Sequence, residues 1–193
     1  MASHDPRRPS LPRIAPVENP SAEVIEAYGR SIAGPDGAPL NIFATLAHSP
    51  KLLKRFTHYA GWFLNKGLLP PREREIVILR VGWNCRSEYE FGQHTIIGRR
   101  EGLTDAEIAA LTRDPSTHAW SARDARLIAM CDDLCVDDCV GDATWSELAV
   151  DWNEAELVEL VMVAGTYRLV SGFLNTMGVQ RDTGVPGWPN YRS

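Results

Sequence analysis

Pro70-Pro-Arg-Glu-Arg-Glu-Ile-Val-Ile-Leu-Arg-Val-Gly-Trp-Asn-Cys85 is the stretch on which the fold class turns. Its Ile76-Val77-Ile78-Leu79 run is apolar and β-branched, which suits a buried strand. Two features argue for a helix instead. Charged residues lead the run straight after a Pro-Pro start, and no hairpin or βαβ partner follows it. Outward from this segment the punctuation is helical. Ser49-Pro50 opens a helix with Leu52, Leu53, Phe56, Tyr59, Ala60 and Phe63 at helical spacing, ending at Lys66-Gly67. Upstream, Asn19-Pro20-Ser21 starts a segment with Val24, Ile25 and Tyr28 on one face, and Gly34-Pro35-Asp36-Gly37 reads as a turn. Downstream, Thr104-Asp-Ala-Glu107 and Thr144-Trp-Ser-Glu147 read as capping boxes. Asp124 to Asp138 repeats apolar residues at Leu127, Met130/Cys131 and Leu134/Cys135. Asn153 to Met177 carries Leu157, Leu160, Val161, Ala164 and Val170 on a wide apolar face, with Gly178 as its stop. No strand pair remains, so the expectation is an all-α chain of about seven or eight helices.

The chain has 193 residues, 44% hydrophobic and 23% charged. That is an ordinary soluble globular composition, and it excludes a wholly disordered chain, a collagen and a small disulfide scaffold. Residues 1–20 hold five of the 13 prolines and read as a flexible proline-rich arm; residues 21–193 read as one helical domain. The net charge of −5 and pI near 5.5 argue against a broad nucleic-acid surface, which needs clustered Lys and Arg. An anionic small-molecule substrate needs only one or two local cations. No apolar run approaches the ~20 residues of a membrane span, and the N-terminus lacks a signal-like apolar region. Four cysteines without framework spacing point to a reducing cytoplasm.

The densest cluster of reactive side chains runs from Glu75 to His94. With residues 86–98 as a helix, Glu90 and His94 are i,i+4 neighbours and Ser87 lies on the same face. A hydroxyl, a carboxylate and an imidazole so placed can pass protons, and histidine suits general acid–base work near neutrality. The competing structural reading is a solvated helix with an i,i+4 Glu–His pair and a capping serine.

These residues resemble the signature of the carboxymuconolactone decarboxylase family, also called alkylhydroperoxidase-D-like. Its peroxidase members carry a Glu, a Cys twelve residues on, a second Cys at +3 and a His at +7. Here Glu75, Ser87, Glu90 and His94 occupy that frame, and Tyr89-Glu-Phe-Gly-Gln-His94 is similar to the motif of the non-redox branch. The resemblance extends over roughly residues 20–193, through DATWSEL and LVSGFLNTMGV. It implies the family's all-α fold, a cytoplasmic homo-oligomer (trimer or hexamer), a small-molecule substrate, and no metal or organic cofactor. Both redox cysteine positions hold other residues, so the disulfide peroxidase chemistry of that signature is not inherited. What the resemblance leaves is an acid–base frame of Glu75, Ser87, Glu90 and His94. That frame suits decarboxylation or isomerisation of a lactone or a keto/enol carboxylic acid. Tyr89, Arg80, Arg86, Trp83, Cys85 and His58 are the candidate substrate contacts. Three alternatives stay open: an antioxidant peroxidase using Cys85, a non-catalytic oligomeric binding protein, and a hydration or cyclisation step. On a continuous helix Cys85 would point about 200° from Ser87. Cys131, Cys135 and Cys139 would share a helix face, which reads as core packing by small thiols.

Overall fold

The computed structural model describes residues 8–29, 33–34 and 37–189. The start of the arm, the Pro35-Asp36 centre of the expected turn and the last four residues lie outside that range. Among the described residues there are nine α-helices, one short 3-10 turn and no strand, so the all-α expectation holds. The helices are α1 (Ala22–Tyr28), α2 (Asn41–Leu46), α3 (Pro50–Asn65), α4 (Pro71–Asn84), α5 (Glu88–Arg100), α6 (Asp105–Ala110), α7 (Ala122–Asp137), α8 (Asp142–Asp151) and α9 (Glu154–Met177). The six-residue α2 is the element that the periodicity did not announce.

The 70–85 stretch is helix α4, and its place in the bundle explains its strand-like composition. It packs against α5, α7 and α9, and every residue from Arg74 to Gly82 is buried. A helix surrounded on all sides is apolar all round and shows little amphipathic period. Ile76, Val77, Ile78 and Leu79 form the middle of the main core with Leu111, Leu127, Met130, Leu148 and Leu160. A second cluster joins α1, α2 and α3 to Tyr89, Val170 and Leu174.

Where α4 meets α5, Cys85 caps α4 and Arg86 takes a left-handed conformation (φ 52°). Arg86 N–H donates to Trp83 O and Ser87 N–H to Gly82 O, the paired bonds of a Schellman stop. The continuous 86–98 helix is therefore replaced by a break at Cys85-Arg86, with Ser87 as the N-cap of α5.

The described part of the arm lies on its own bundle. Arg13 N–H donates to Met177 O, Val17 N–H to Ala44 O, and the Arg8 guanidinium to Cys85 O. Gly178 stops α9 at φ 67°, and a Cβ there would meet Leu11 O at 2.6 Å, so the stop and the arm both require glycine. Helix α9 is long and apolar enough to cross a bilayer by length and composition. Here it is a core helix, contacting α4, α5, α7 and α8.

Local details differ from the sequence reading. Thr104 and Glu107 do form a capping box. Thr144 does not: α8 begins at Asp142 behind Gly141, whose N–H donates to Asp133 Oδ2, so Thr144 is already inside the helix. Asn153 and Glu156 form a second capping box at the start of α9. On α1 the buried residues are Val24 and Ala27, while Ile25 is exposed, because α3 covers only one narrow side of this short helix.

Candidate active site

Glu75 comes from the first half of α4, Glu90 and His94 from α5. The crossing of α4 on α5 brings them together. His94 Nδ1 lies 2.6 Å from Glu75 Oε2, and Nε2 lies 3.1 Å from Glu90 Oε1. Arg74 closes the chain, its guanidinium 3.0 Å from Glu75 Oε1. Glu75 is 0% exposed, Glu90 4%, His94 5% and Arg74 5%. Four ionisable groups so buried are tolerable only because they alternate in sign along the chain Arg74–Glu75–His94–Glu90.

The electrostatics follow from that order. Burial by itself pushes the His94 pKa down; the Glu75 carboxylate, then Glu90, override it and hold the pKa at about 10. His94 is thus an imidazolium near neutrality, with both N–H groups donating to carboxylates. The Tyr167 ring on α9 stands edge-on to the imidazole, centroids 4.9 Å apart. Burial, then the charges of Glu90 and Glu75, push the Tyr167 phenol well up, so it stays neutral.

Ser87 is fully buried at the start of α5, and its Oγ has no hydrogen-bond partner in the protein. An orphaned buried hydroxyl is costly and invites an explanation. Its place at the N-cap, outside the helix, means that only Glu90 and His94 share the helical register expected of all three.

The expected substrate contacts scatter. Tyr89 turns to α2 and the C-terminal segment, donating to Asp182 Oδ2 (2.6 Å) and accepting from Ile42 N–H. Arg80 makes a two-pronged pair with Asp132 (2.7 and 2.8 Å) and caps the carbonyls of Leu111 and Arg113. Trp83 packs edge-on against Trp188. His58 is exposed on α3. Cys85 and Arg86 do meet at a second place, a cavity of about 340 Å³ lined also by Arg8, Asn84, Cys135 and Arg168. Of the other three cysteines, the core-packing expectation holds for Cys131, in part for Cys135, and not for Cys139. Cys131 is in the core with Sγ toward Val77 O, Cys139 lies beyond the end of α7, and Cys135 is half-buried at the cavity. No group of three or more His, Cys, Asp or Glu side chains among the described residues is arranged to ligate a metal.

Arg74 and Tyr167 were not legible as site residues. Arg74 adjoins Glu75 in sequence, but i,i+1 side chains on a helix do not ordinarily face each other. Tyr167 carries no motif and is a site neighbour only because α9 packs across α5.

Comparison with known proteins agrees with this architecture. A model of the carboxymuconolactone decarboxylase family matches residues 49–130, which contain Glu75, Ser87, Glu90 and His94. No curated protein matches the chain. Among solved structures, an uncharacterized peroxidase-related protein with an alkylhydroperoxidase AhpD core from Ralstonia eutropha JMP134 superposes with a TM-score of 0.69 at 18% identity, over 83% of each chain. An uncharacterized peroxidase-related protein from Silicibacter sp. TM1040 superposes at 0.70 and 15% identity, over 87% of this chain and 96% of the other. The debrominase Bmp8, in complex with 2,3,4-tribromopyrrole, superposes at 0.70 and 12% identity, over 90% of this chain and 93% of the other. At such identities these likenesses speak for the fold alone, and the similarity to the carboxymuconolactone decarboxylase family lies in the matched segment 49–130 that holds the Glu75–His94 frame.

Proposed function

We propose that the protein is an acid–base enzyme that decarboxylates or isomerises a small lactone or keto/enol carboxylic acid. The observation that carries this reading is the buried Glu75–His94–Glu90 chain. Loss of CO₂ from a β-keto acid leaves an enolate, and from a vinylogous acid a dienolate; either needs charge stabilisation and then a proton on carbon. Isomerisation needs the same two provisions in a different order. Glu90 is the group that exchanges the proton with substrate carbon. His94 re-supplies it through the Nε2–Oε1 bond, and Glu75, anchored by Arg74, holds the ring in position. The partnerless Ser87 hydroxyl donates to the oxygen that gains charge. The family match and the enzyme fold support an enzymatic reading; the substrate class rests on the chemistry of Glu75, Ser87, Glu90 and His94. Since the four are buried, substrate entry requires a local opening of the helices around them.

The test reads proton transfer before any product is known. A panel of carboxylated lactones and keto acids is incubated with the protein in D₂O. Deuterium incorporation at carbon is followed by NMR, and CO₂ release is measured in parallel. Turnover is expected with at least one member of the panel. In Glu90→Gln and His94→Gln the rate is expected to fall by about 10²–10⁴-fold. Exchange that persists in both variants at the wild-type rate refutes the assignment.

A further inference from the structure

The cavity at the end of α4 gathers cations from distant parts of the chain. Arg8 comes from the arm, Asn84 and Cys85 from the end of α4, Arg86 from the joint before α5, Cys135 from α7 and Arg168 from α9. Three of these six lining residues are arginines and none is acidic, although the chain as a whole carries a net charge of −5. Two carboxylates stand near the cavity. Asp132 on α7 is taken up by Arg80 (2.7 and 2.8 Å) and by Asn84 Nδ2 (2.8 Å). Asp138 pairs with Arg168, which also donates to Leu134 O (2.7 Å), but the Asp138 side chain is 82% exposed and screened by water. Two details of the arginines stand out. Arg8 Nη2 donates to Cys85 O (3.1 Å), while Arg8 Nε is buried without a hydrogen-bond partner. A buried N–H of a charged group left unmatched is costly. Arg86 holds φ 52° at the stop of α4, a position that ordinarily takes glycine. Backbone strain of this kind gathers where a side chain is needed at a site.

We propose that this cavity binds a small dianion, a phosphate monoester or a dicarboxylate, between the guanidiniums of Arg8, Arg86 and Arg168. A guanidinium presents parallel N–H groups that match a pair of carboxylate or phosphate oxygens. A single carboxylate is satisfied by one such fork. A phosphate monoester offers three terminal oxygens and a dicarboxylate two pairs, enough to engage more than one arginine at once. The volume of about 340 Å³ suits a small molecule. Its lining is polar apart from the two thiols, so a compact charged ligand fits it better than an apolar one. Convergent charge of one sign in a concave place raises the local concentration of the opposite ion. A dianion offsets the repulsion among the arginines and gives the buried Arg8 Nε–H an acceptor. It also ties the arm to α9 through Arg8 and Arg168. The site shares no residue with the Glu75–His94–Glu90 chain or with Ser87, and the proposal stands whether or not those groups carry out acid–base chemistry.

The test titrates the full-length, reduced protein by calorimetry with inorganic phosphate, succinate and, as the monoanion control, acetate, at low salt. Saturable binding of phosphate or succinate at one site per chain is expected, with acetate weaker by about tenfold or more. The dianion that binds tells which of the two ligand types the site takes. Arg8→Gln and Arg168→Gln are each expected to weaken binding by about tenfold or more. A second readout needs no variant. The neutral reagent iodoacetamide is applied to the wild type with and without saturating dianion, and the alkylated cysteines are mapped by mass spectrometry. The ligand is expected to slow labelling of Cys85 and Cys135, which line the cavity, by several-fold, and to leave the exposed Cys139 unchanged. Absence of saturable binding by phosphate and succinate up to about 10 mM overturns the proposal. So does acetate binding as tightly as the dianions, or binding that leaves Cys85 and Cys135 unprotected. The protection map decides the place of binding even where an arginine variant fails to fold.

Discussion

His94 is a cation held between two buried carboxylates, and that arrangement makes testable demands on stability as well as on chemistry. Removing the ring leaves Glu75 and Glu90 without their shared partner. His94→Ala is expected to cost about 3–5 kcal/mol, read as a lower urea midpoint at unchanged slope. The pH dependence has a definite sign. The His94 pKa is raised from 6.5 to about 10 in the folded protein. Between those values the folded chain holds a proton that the unfolded chain has released, so stability falls as pH rises. The His94 contribution is complete below about pH 6.5 and is lost through about pH 10. Urea titrations from pH 7 to 10 are expected to lose up to about 1.4 kcal/mol per pH unit more in the wild type than in His94→Gln. Equal slopes in the two proteins would show that the ring is neutral in the fold.

At the scale of elements, α5 is a helix gripped on two sides. Its Glu90–His94 face meets α4, and the C-terminal segment crosses it at Gly92. There an added Cβ would meet Pro186 O at 2.3 Å and Val185 Cγ1 at 2.9 Å. Trp188 at the end of that segment packs on both Trp83 and Phe91. Gly92→Ala is expected to lift the segment and destabilise by about 1–3 kcal/mol, with a change in tryptophan fluorescence from the disturbed Trp83–Trp188 pair. Gly172 is the control. It lies in exposed mid-helix on α9 with no atom within 4 Å of an added Cβ, and Gly172→Ala is expected to stabilise by about 0.5–1 kcal/mol. Thermal melts of the two variants are expected to move in opposite directions.

Over the whole molecule, α3 and α9 leave large apolar side chains in water. Tyr59 and Trp62 on α3 and Val158, Met162 and Leu169 on α9 are exposed. The two helices adjoin where the Tyr59 hydroxyl meets Thr166 Oγ1 at 3.0 Å. Exposed apolar surface shared by neighbouring helices is what self-association covers. Sedimentation velocity is expected to give a mass that is a multiple of 21.4 kDa. Trp62→Glu with Met162→Glu is expected to shift it to the monomer; a monomeric wild type would sink the idea.

Features set by near neighbours along the chain were legible without the fold. Helical period marked α3, α7 and α9, Thr104 and Gly178 marked a start and a stop, and i,i+4 spacing put Glu90 beside His94. These are local interactions within one or two turns, and their geometry is the same in any fold. The tertiary structure alone decided which helix covers which face. Burial on every side made the β-branched 76–79 run a central helix, and the same packing left Leu52 and Ile25 exposed despite their place in apolar stripes. It also set the left-handed break at Arg86, which moved Ser87 out of the helix and left Cys85 at the cavity that Cys135 also lines. The contacts of Glu75 with His94 and of Arg80 with Asp132 join separate helices. No spacing along the chain encodes them; they follow from the angle at which α4 meets α5 and the side on which α7 packs.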